Sequence, residues 1–375
     1  MKVAIAAGGT TGHLSPGLAV AEVLRDQGVE ILFIGTPAGP ESRIVGDAGF
    51  SFKGVKIISR GRGRITWRNV RAVIRLGIAT LQCVRVFLRF RPQVVLGMGG
   101  YVSLPAAFAA AAVRCPLVLH EQNSVPGIAN RISARLAKCV AVSFPGTERY
   151  FSRAILTGNP VKIVMLEGAR LSHANSNSRD LRREACDYFG LEYTTKTLLV
   201  TGGSQGALSI NTALFGAFNL LKGKPMQVLH LVGETKLSDA TKMIKSLNSA
   251  EGIVWKVVGY TDRMDLAYAS ADLCLCRAGA STISELAVWE LPAVLVPLPN
   301  ALDDDQRRNA EAIVAIGGAK MILDADLTPE RLATAIEQML GDDTLLDAMS
   351  VAFGSFARPT AAEDVARVVT LAASA

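Results

Sequence analysis

At 375 residues, half of them hydrophobic and 34 of them glycine, the chain is long enough for two full-sized domains and fits a globular α/β protein, not a disordered one. Its net charge of +7 is unevenly placed: residues 1–158 hold 20 Lys and Arg against 7 Asp and Glu, whereas residues 159–375 come out at −6. A basic half joined to an acidic half implies that one half faces a polyanion: nucleic acid, an anionic membrane surface or a phosphorylated substrate.

No apolar run is long enough and free enough of charge to predict a transmembrane helix, and Met1-Lys2 followed directly by a strand predicts no signal peptide. The six cysteines are Cys83, Cys115, Cys139, Cys186, Cys274 and Cys276. Only the last two are close, and strand alternation puts both on one face. They read as core thiols of a protein in a reducing cytoplasm, not as a metal site.

In chain order, Val3 to Ala7 is a short buried strand. It runs into Gly8-Gly9-Thr10-Thr11-Gly12-His13 and then a helix with Leu18, Val20, Ala21 and Leu24 inward. Strand, glycine turn and helix point backbone N–H groups at an anion, although the spacing is not that of the dinucleotide fingerprint. A tight turn with a capping histidine fits the same residues. A strand over Glu30–Gly35 and a helix over residues 41–48 continue a doubly wound pattern. From Arg60 the chain becomes strongly basic. Arg68, Arg71, Arg75, Gln82, Arg85 and Arg89 fall on one face of a helical stretch that Gly77 weakens and Pro92 ends. Three readings remain: a solvated face, RNA binding without an accompanying RNA module, or attachment to an anionic leaflet with Trp67 dipping into the interface.

Val94–Gly97 leads to Gly99-Gly100-Tyr101 and an alanine-rich helix starting near Ser103. The next strand ends on His120-Glu121-Gln122-Asn123. Ligands in open parallel sheets bind beyond the carboxyl ends of strands, so three loaded strand ends point to a site. Gly158–Lys162 reads as an interdomain turn, and residues 167–195 as a polar loop with a short helix. The pattern then restarts with Thr197–Thr201 and Gly202-Gly203-Ser204-Gln205-Gly206-Ala207. Two similar halves imply a substrate cleft between them. Further strands end near Val232, before Gly259, at Cys276 and near Val296. After Cys276, Ser281 and Thr282 offer hydroxyls and N–H groups to a phosphate, and Glu285 fits a ribose diol or a capping box with Thr282. Asp303-Asp304-Asp305 reads as a solvated helix cap rather than a metal site. The segment from Arg358 is a helix that crosses back to the first half.

These motifs, in this order, resemble the MurG family, the UDP-N-acetylglucosamine (UDP-GlcNAc) transferases that convert lipid I to lipid II. They are Gly8–His13, Gly97-Met98-Gly99-Gly100-Tyr101-Val102-Ser103, His120–Asn123, Gly158–Val161, Gly202–Ala207 and Arg277–Glu285, with Gln306 and Asn309. The resemblance implies a GT-B fold: α/β, two Rossmann-like doubly wound domains facing across a cleft. It implies residues 1–158 with helix 356–375 as the acceptor and membrane-facing domain, and residues 159–355 as the UDP-GlcNAc domain. Donor contacts implied are Ser204, Thr261, Ala280, Ser281, Thr282, Ile283, Ser284, Glu285 and Gln306, with Thr10, Thr11, Gly12, Asn123 and Lys162 from the first half. The acceptor diphosphate is implied near Gly8, Gly9, Gly99, Gly100 and Tyr101. Three positions depart from the family pattern: Thr11 for glycine, Lys162 for arginine, and Asp305 for His or Gln.

The implied reaction is inverting transfer of GlcNAc to the C4 hydroxyl of the MurNAc unit of undecaprenyl-linked lipid I, without a metal or other cofactor. His13, kept neutral by the helix dipole, is the first choice of base and Glu121 the second. The membrane partner raises the weight of the leaflet reading, with Trp67, Arg71, Arg75 and Arg85 facing lipid at the cytoplasmic face of the inner membrane as a peripheral protein, and no nucleic acid is expected. Rivals are a UDP-sugar:diacylglycerol transferase, a UDP-GlcNAc epimerase and a non-catalytic UDP-sugar binder.

Overall fold

The computed structural model describes the chain except residues 9, 10, 38, 40, 57–66, 175–177, 204, 205, 248–252, 300–303 and 375. It divides into two compact units, Met1–Lys162 with Arg358–Ala375, and Ile163–Ala357.

The first unit is a seven-stranded sheet of β1 (Lys2–Ala6), β2 (Glu30–Gly35), β3 (Ser51–Gly54), β4 (Val94–Gly97), β5 (Leu117–Glu121), β6 (Cys139–Val142) and β7 (Ala154–Leu156). Its order is β3-β2-β1-β4-β5-β6-β7, with every pair parallel. The inner strands are continuous apolar runs because both faces are covered by helices. On one face lie α1 (Thr11–Asp26) and the C-terminal helix Ala361–Ser374, whose Val365, Ala366, Val369 and Ala372 share a core with Leu14, Leu18 and Ala21; Val45 of α2 (Glu41–Asp47) joins it. On the other lie α3 (Trp67–Phe90), α4 (Gly100–Ala112) and the short α5 (Ile128–Ser133), around Ala79, Cys83, Phe87 and the alanines of α4.

The strand order reverses between β1 and β4. The two neighbours end level, Ala6 opposite Gly97, and send α1 and α4 to opposite faces. That is the crevice where open α/β sheets bind ligands. Helix α3 runs unbroken through Gly77, where the sequence predicted a weak point. No atom lies within 4 Å of a side chain placed there, so the glycine sits in the open and costs only its propensity.

The second unit holds β8 (Lys196–Thr201), β9 (Met226–Leu231), β10 (Val254–Val258), β11 (Leu273–Cys276), β12 (Ala293–Leu295) and β13 (Ala319–Met321), all parallel, in the order β10-β9-β8-β11-β12-β13. The stretch 167–195, expected to be loop with a short helix, takes in instead the last turns of the helix Ile163–His173 and the whole of the helix Ser178–Phe189. The second is held by Arg182, whose guanidinium forks onto Asp272 at 2.8 and 3.2 Å. Cys274 and Cys276 are buried free thiols on β11; their mutual hydrogen bond and burial push the Cys274 thiol well above the ordinary range.

His230, in the middle of β9, is wholly enclosed among Phe215 and Trp255. Burial pushes its imidazole down to about 3. The unfolded chain therefore takes up this proton first as pH falls. The associated stability is complete above about pH 6.5 and is lost progressively towards pH 3. Between pH 7 and pH 5 the loss amounts to about 2 kcal/mol. Urea unfolding followed by tryptophan fluorescence is expected to show that extra loss in the wild type relative to His230→Gln; equal losses in both proteins would refute it.

Candidate active site

Helix α1 begins at Thr11 and carries Gly12 and His13 in its first turn; Gly9 and Thr10 lie outside the described residues, as does the Thr11 side chain. The His13 ring rests on the turn after β4. A Cβ on Gly99 would stand 3.3 Å from its Cδ2, and one on Gly100 would stand 3.4 Å from its Cε1 and Nδ1. Both glycines have positive φ, 87° and 71°, so backbone geometry and space alike exclude a side chain. Gly99 caps α4 without any side-chain bond. His13 keeps part of its surface open, yet burial pushes its imidazole down to about 4, and it is neutral at pH 7.

Gly8 has a neighbour the sequence did not reveal. Glu41 is buried, accepts from Thr36 Oγ1 at 3.0 and 3.2 Å, and brings Oε1 within 2.7 Å of where a Gly8 Cβ would be. A carboxylate beside Gly8 opposes an anion there. The turn at Gly99–Gly100 follows β4, with the exposed Tyr101 beside it.

Near the end of β5, His120 is fully buried. Its Nε2 lies 3.1 Å from Gly158 O and its Nδ1 2.9 Å from Gln122 Nε2, and burial first of all holds it down to about 4. Glu121 accepts from the Asn123 N–H at 2.9 Å, Asn130 Nδ2 at 2.8 Å and the Gly127 N–H at 3.3 Å. Both oxygens bracket the loop to α5. Asn123 is half-buried, and Lys162 is exposed with its charge near Glu22 of α1.

In the second unit Ser204 and Gln205 lie outside the described residues, between Gly203 and Gly206, both of positive φ. Thr261 is buried and lines a cavity of about 510 Å³ with Tyr188, Phe189, Val258, Tyr260 and Asp262. After β11, Gly279 caps the helix Ala280–Val288. Glu285 thus lies in the second turn, which overturns the capping-box frame, and it accepts from Tyr268 Oη at 2.9 Å. The Ile283 N–H closes on Gly279 O and its side chain is buried, while Ser284 Oγ bonds Ala280 O. Ala280, Ser281 and Thr282 form the first turn of this helix. Gln306 accepts from the Leu298 N–H at 3.0 Å, and buried Asn309 ties its helix to Ala278 O. Arg277, within the motif, is structural: it bonds Val296 O, Pro297 O, Asp324 and Ser209.

A separate surface lies on α3. Ile74, Ile78, Leu81, Arg85 and Leu88 fall on one stripe, and all are exposed, Leu81 and Leu88 at 62 %. The anchors buried against the sheet are Ala79, Cys83 and Phe87. Arg75 is exposed beside the stripe, and the side chains of Trp67 and Arg71 lie outside the described set. Among the described residues no helix is long and apolar enough to cross a membrane.

Residues 3–142 match the glycosyltransferase family 28 N-terminal domain and residues 197–365 the family 28 C-terminal domain. A UDP-N-acetylglucosamine–N-acetylmuramyl-(pentapeptide) pyrophosphoryl-undecaprenol N-acetylglucosamine transferase of Nocardioides sp. is 41% identical over 372 residues, covering 98% of this chain and 97% of the relative. The enzyme of the same name from Methylococcus capsulatus is 36% identical over 371 residues, with 98% and 97% covered. Among solved structures, Acinetobacter baumannii MurG superposes with a TM-score of 0.78 at 30% identity, covering 99% of both chains. A UDP-GlcNAc 2-epimerase from Neisseria meningitidis, at 0.68 and 13% identity over 99% and 100%, shares the fold. The chain belongs to glycosyltransferase family 28 and, within it, to the MurG family of N-acetylglucosamine transferases.

Proposed function

We propose that the chain transfers GlcNAc from UDP-GlcNAc to the C4 hydroxyl of MurNAc in lipid I, with inversion, giving lipid II for peptidoglycan. The observation that carries the chemistry is the neutral His13 ring seated on the Gly99–Gly100 turn. A neutral imidazole accepts the hydroxyl proton as the oxygen attacks the anomeric carbon and UDP departs. The phosphates of both substrates raise the pKa of His13 from its low unliganded value as they bind.

The second unit holds the donor. The N–H groups of Ala280–Thr282 and the Ser204 turn take its diphosphate, and the helix N-terminus stabilises the charge that develops on the leaving UDP. Glu285, aimed by Tyr268, takes the ribose diol; the Thr261 backbone meets the uracil, and Gln306 the sugar. In the first unit the acceptor diphosphate lies at the N-terminus of α4. The α3 stripe of isoleucine, leucine and arginine lies in the interface of an anionic leaflet, holding the protein peripherally at the cytoplasmic face where the lipid-linked acceptor is found.

His13→Ala is expected to lower kcat by about 10²–10⁴-fold while UDP-GlcNAc binding by calorimetry persists. For the wild type, the acid limb of kcat/KM is expected well below pH 6.5, because the free enzyme's histidine is already depressed to about 4; a limb at pH 6.5 would contradict His13 as base. Arg75→Glu with Arg85→Glu is expected to weaken sedimentation with phosphatidylglycerol vesicles by about 1 kcal/mol or more per residue, with donor affinity unchanged. Equal vesicle binding would remove α3 from the membrane contact.

A further inference from the structure

We propose that Gln122 is a positioning residue of the reaction: its two side-chain N–H groups fix the tautomer of His120 and hold the Gly99–Gly100 turn on which His13 rests. The proposal builds on the assignment of His13 as base.

Gln122 is 2 % exposed. Its Nε2 lies 2.8 Å from Met98 O and 2.9 Å from His120 Nδ1. Each step of the network forces the next. A backbone carbonyl only accepts, so the amide must turn its nitrogen, not its oxygen, towards Met98. The remaining N–H points at Nδ1, which must then accept. The His120 proton is left on Nε2, 3.1 Å from Gly158 O, which again only accepts. An imidazolium would set a second N–H against the amide, in accord with the depressed His120.

Two side chains thereby tie together the exits of three strands: Met98 after β4, His120 on β5 and Gly158 after β7. The Met98 N–H is bonded to Ala6 O at 2.9 Å, so the peptide groups flanking Met98 are gripped by β1 on one side and by Gln122 on the other. Gly99 follows at once. Its Cβ position would stand 3.4 Å from Gln122 Oε1, 3.3 Å from Asn130 Nδ2 and 3.3 Å from the His13 ring. Gln122 Oε1 has no hydrogen-bond partner among the described residues, so the amide is held through its nitrogen alone. Loss of that nitrogen frees the turn and lets the His13 ring shift.

The test has two arms. In the wild type, long-range ¹⁵N–¹H spectra of the four histidines are expected to show His120 as the Nε2–H tautomer from pH 6 to 8; an Nδ1–H signal overturns the proposal, whether or not any variant folds. In Gln122→Glu, which offers only acceptors, His120 is expected to switch to an Nδ1–H form. There and in Gln122→Met, kcat is expected to fall about 100-fold with acceptor KM and UDP-GlcNAc affinity within about threefold. Unchanged kcat in Gln122→Met, or donor affinity lost in parallel with kcat, overturns it. Absence of GlcNAc transfer by the wild type would refute the parent function instead, and the tautomer would still be read.

Discussion

The structure depends on what happens where β1 and β4 lie side by side. The two strands end level, and their connections leave for opposite faces. Only backbone fits in the gap between them, so Gly99 and Gly100 take positive φ and leave room for one imidazole. The position of His13 follows from this packing constraint. Helix α1 delivers it, and the bare cap of α4 receives it.

Charge is distributed around that point in a consistent way. Buried Glu41 occupies the Gly8 side, and buried His120, kept neutral, lies on the other. In the second unit, Arg277 and Asn309 fasten strand exits along one motif, while Ile283 and Ser284 face inward.

The doubly wound pattern was legible because buried parallel strands are short apolar runs punctuated by glycine, as at Val3–Gly8 and Val94–Gly99. What stayed hidden depended on partners distant in sequence. A glutamate opening a helix reads as solvated; Glu41 is buried because Thr36 donates to it and glycines 8 and 39 make space. Thr282 and Glu285 satisfy a capping spacing that the chain does not use, since the helix starts three residues earlier at Gly279. The polar stretch 167–195 conceals helices whose anchors, Asp272 and Trp289, lie about a hundred residues on. Periodicity on α3 marked stripes but not which of them the sheet would cover.

The helix Ala361–Ser374 supplies part of the core beneath α1, the helix that carries His13. The whole of the second unit lies between these two segments in the chain. During synthesis the first unit therefore waits, with Leu14, Leu18 and Ala21 uncovered, until the second has left the ribosome. A chain broken off after residue 357 lacks the helix that covers Leu14, Leu18 and Ala21.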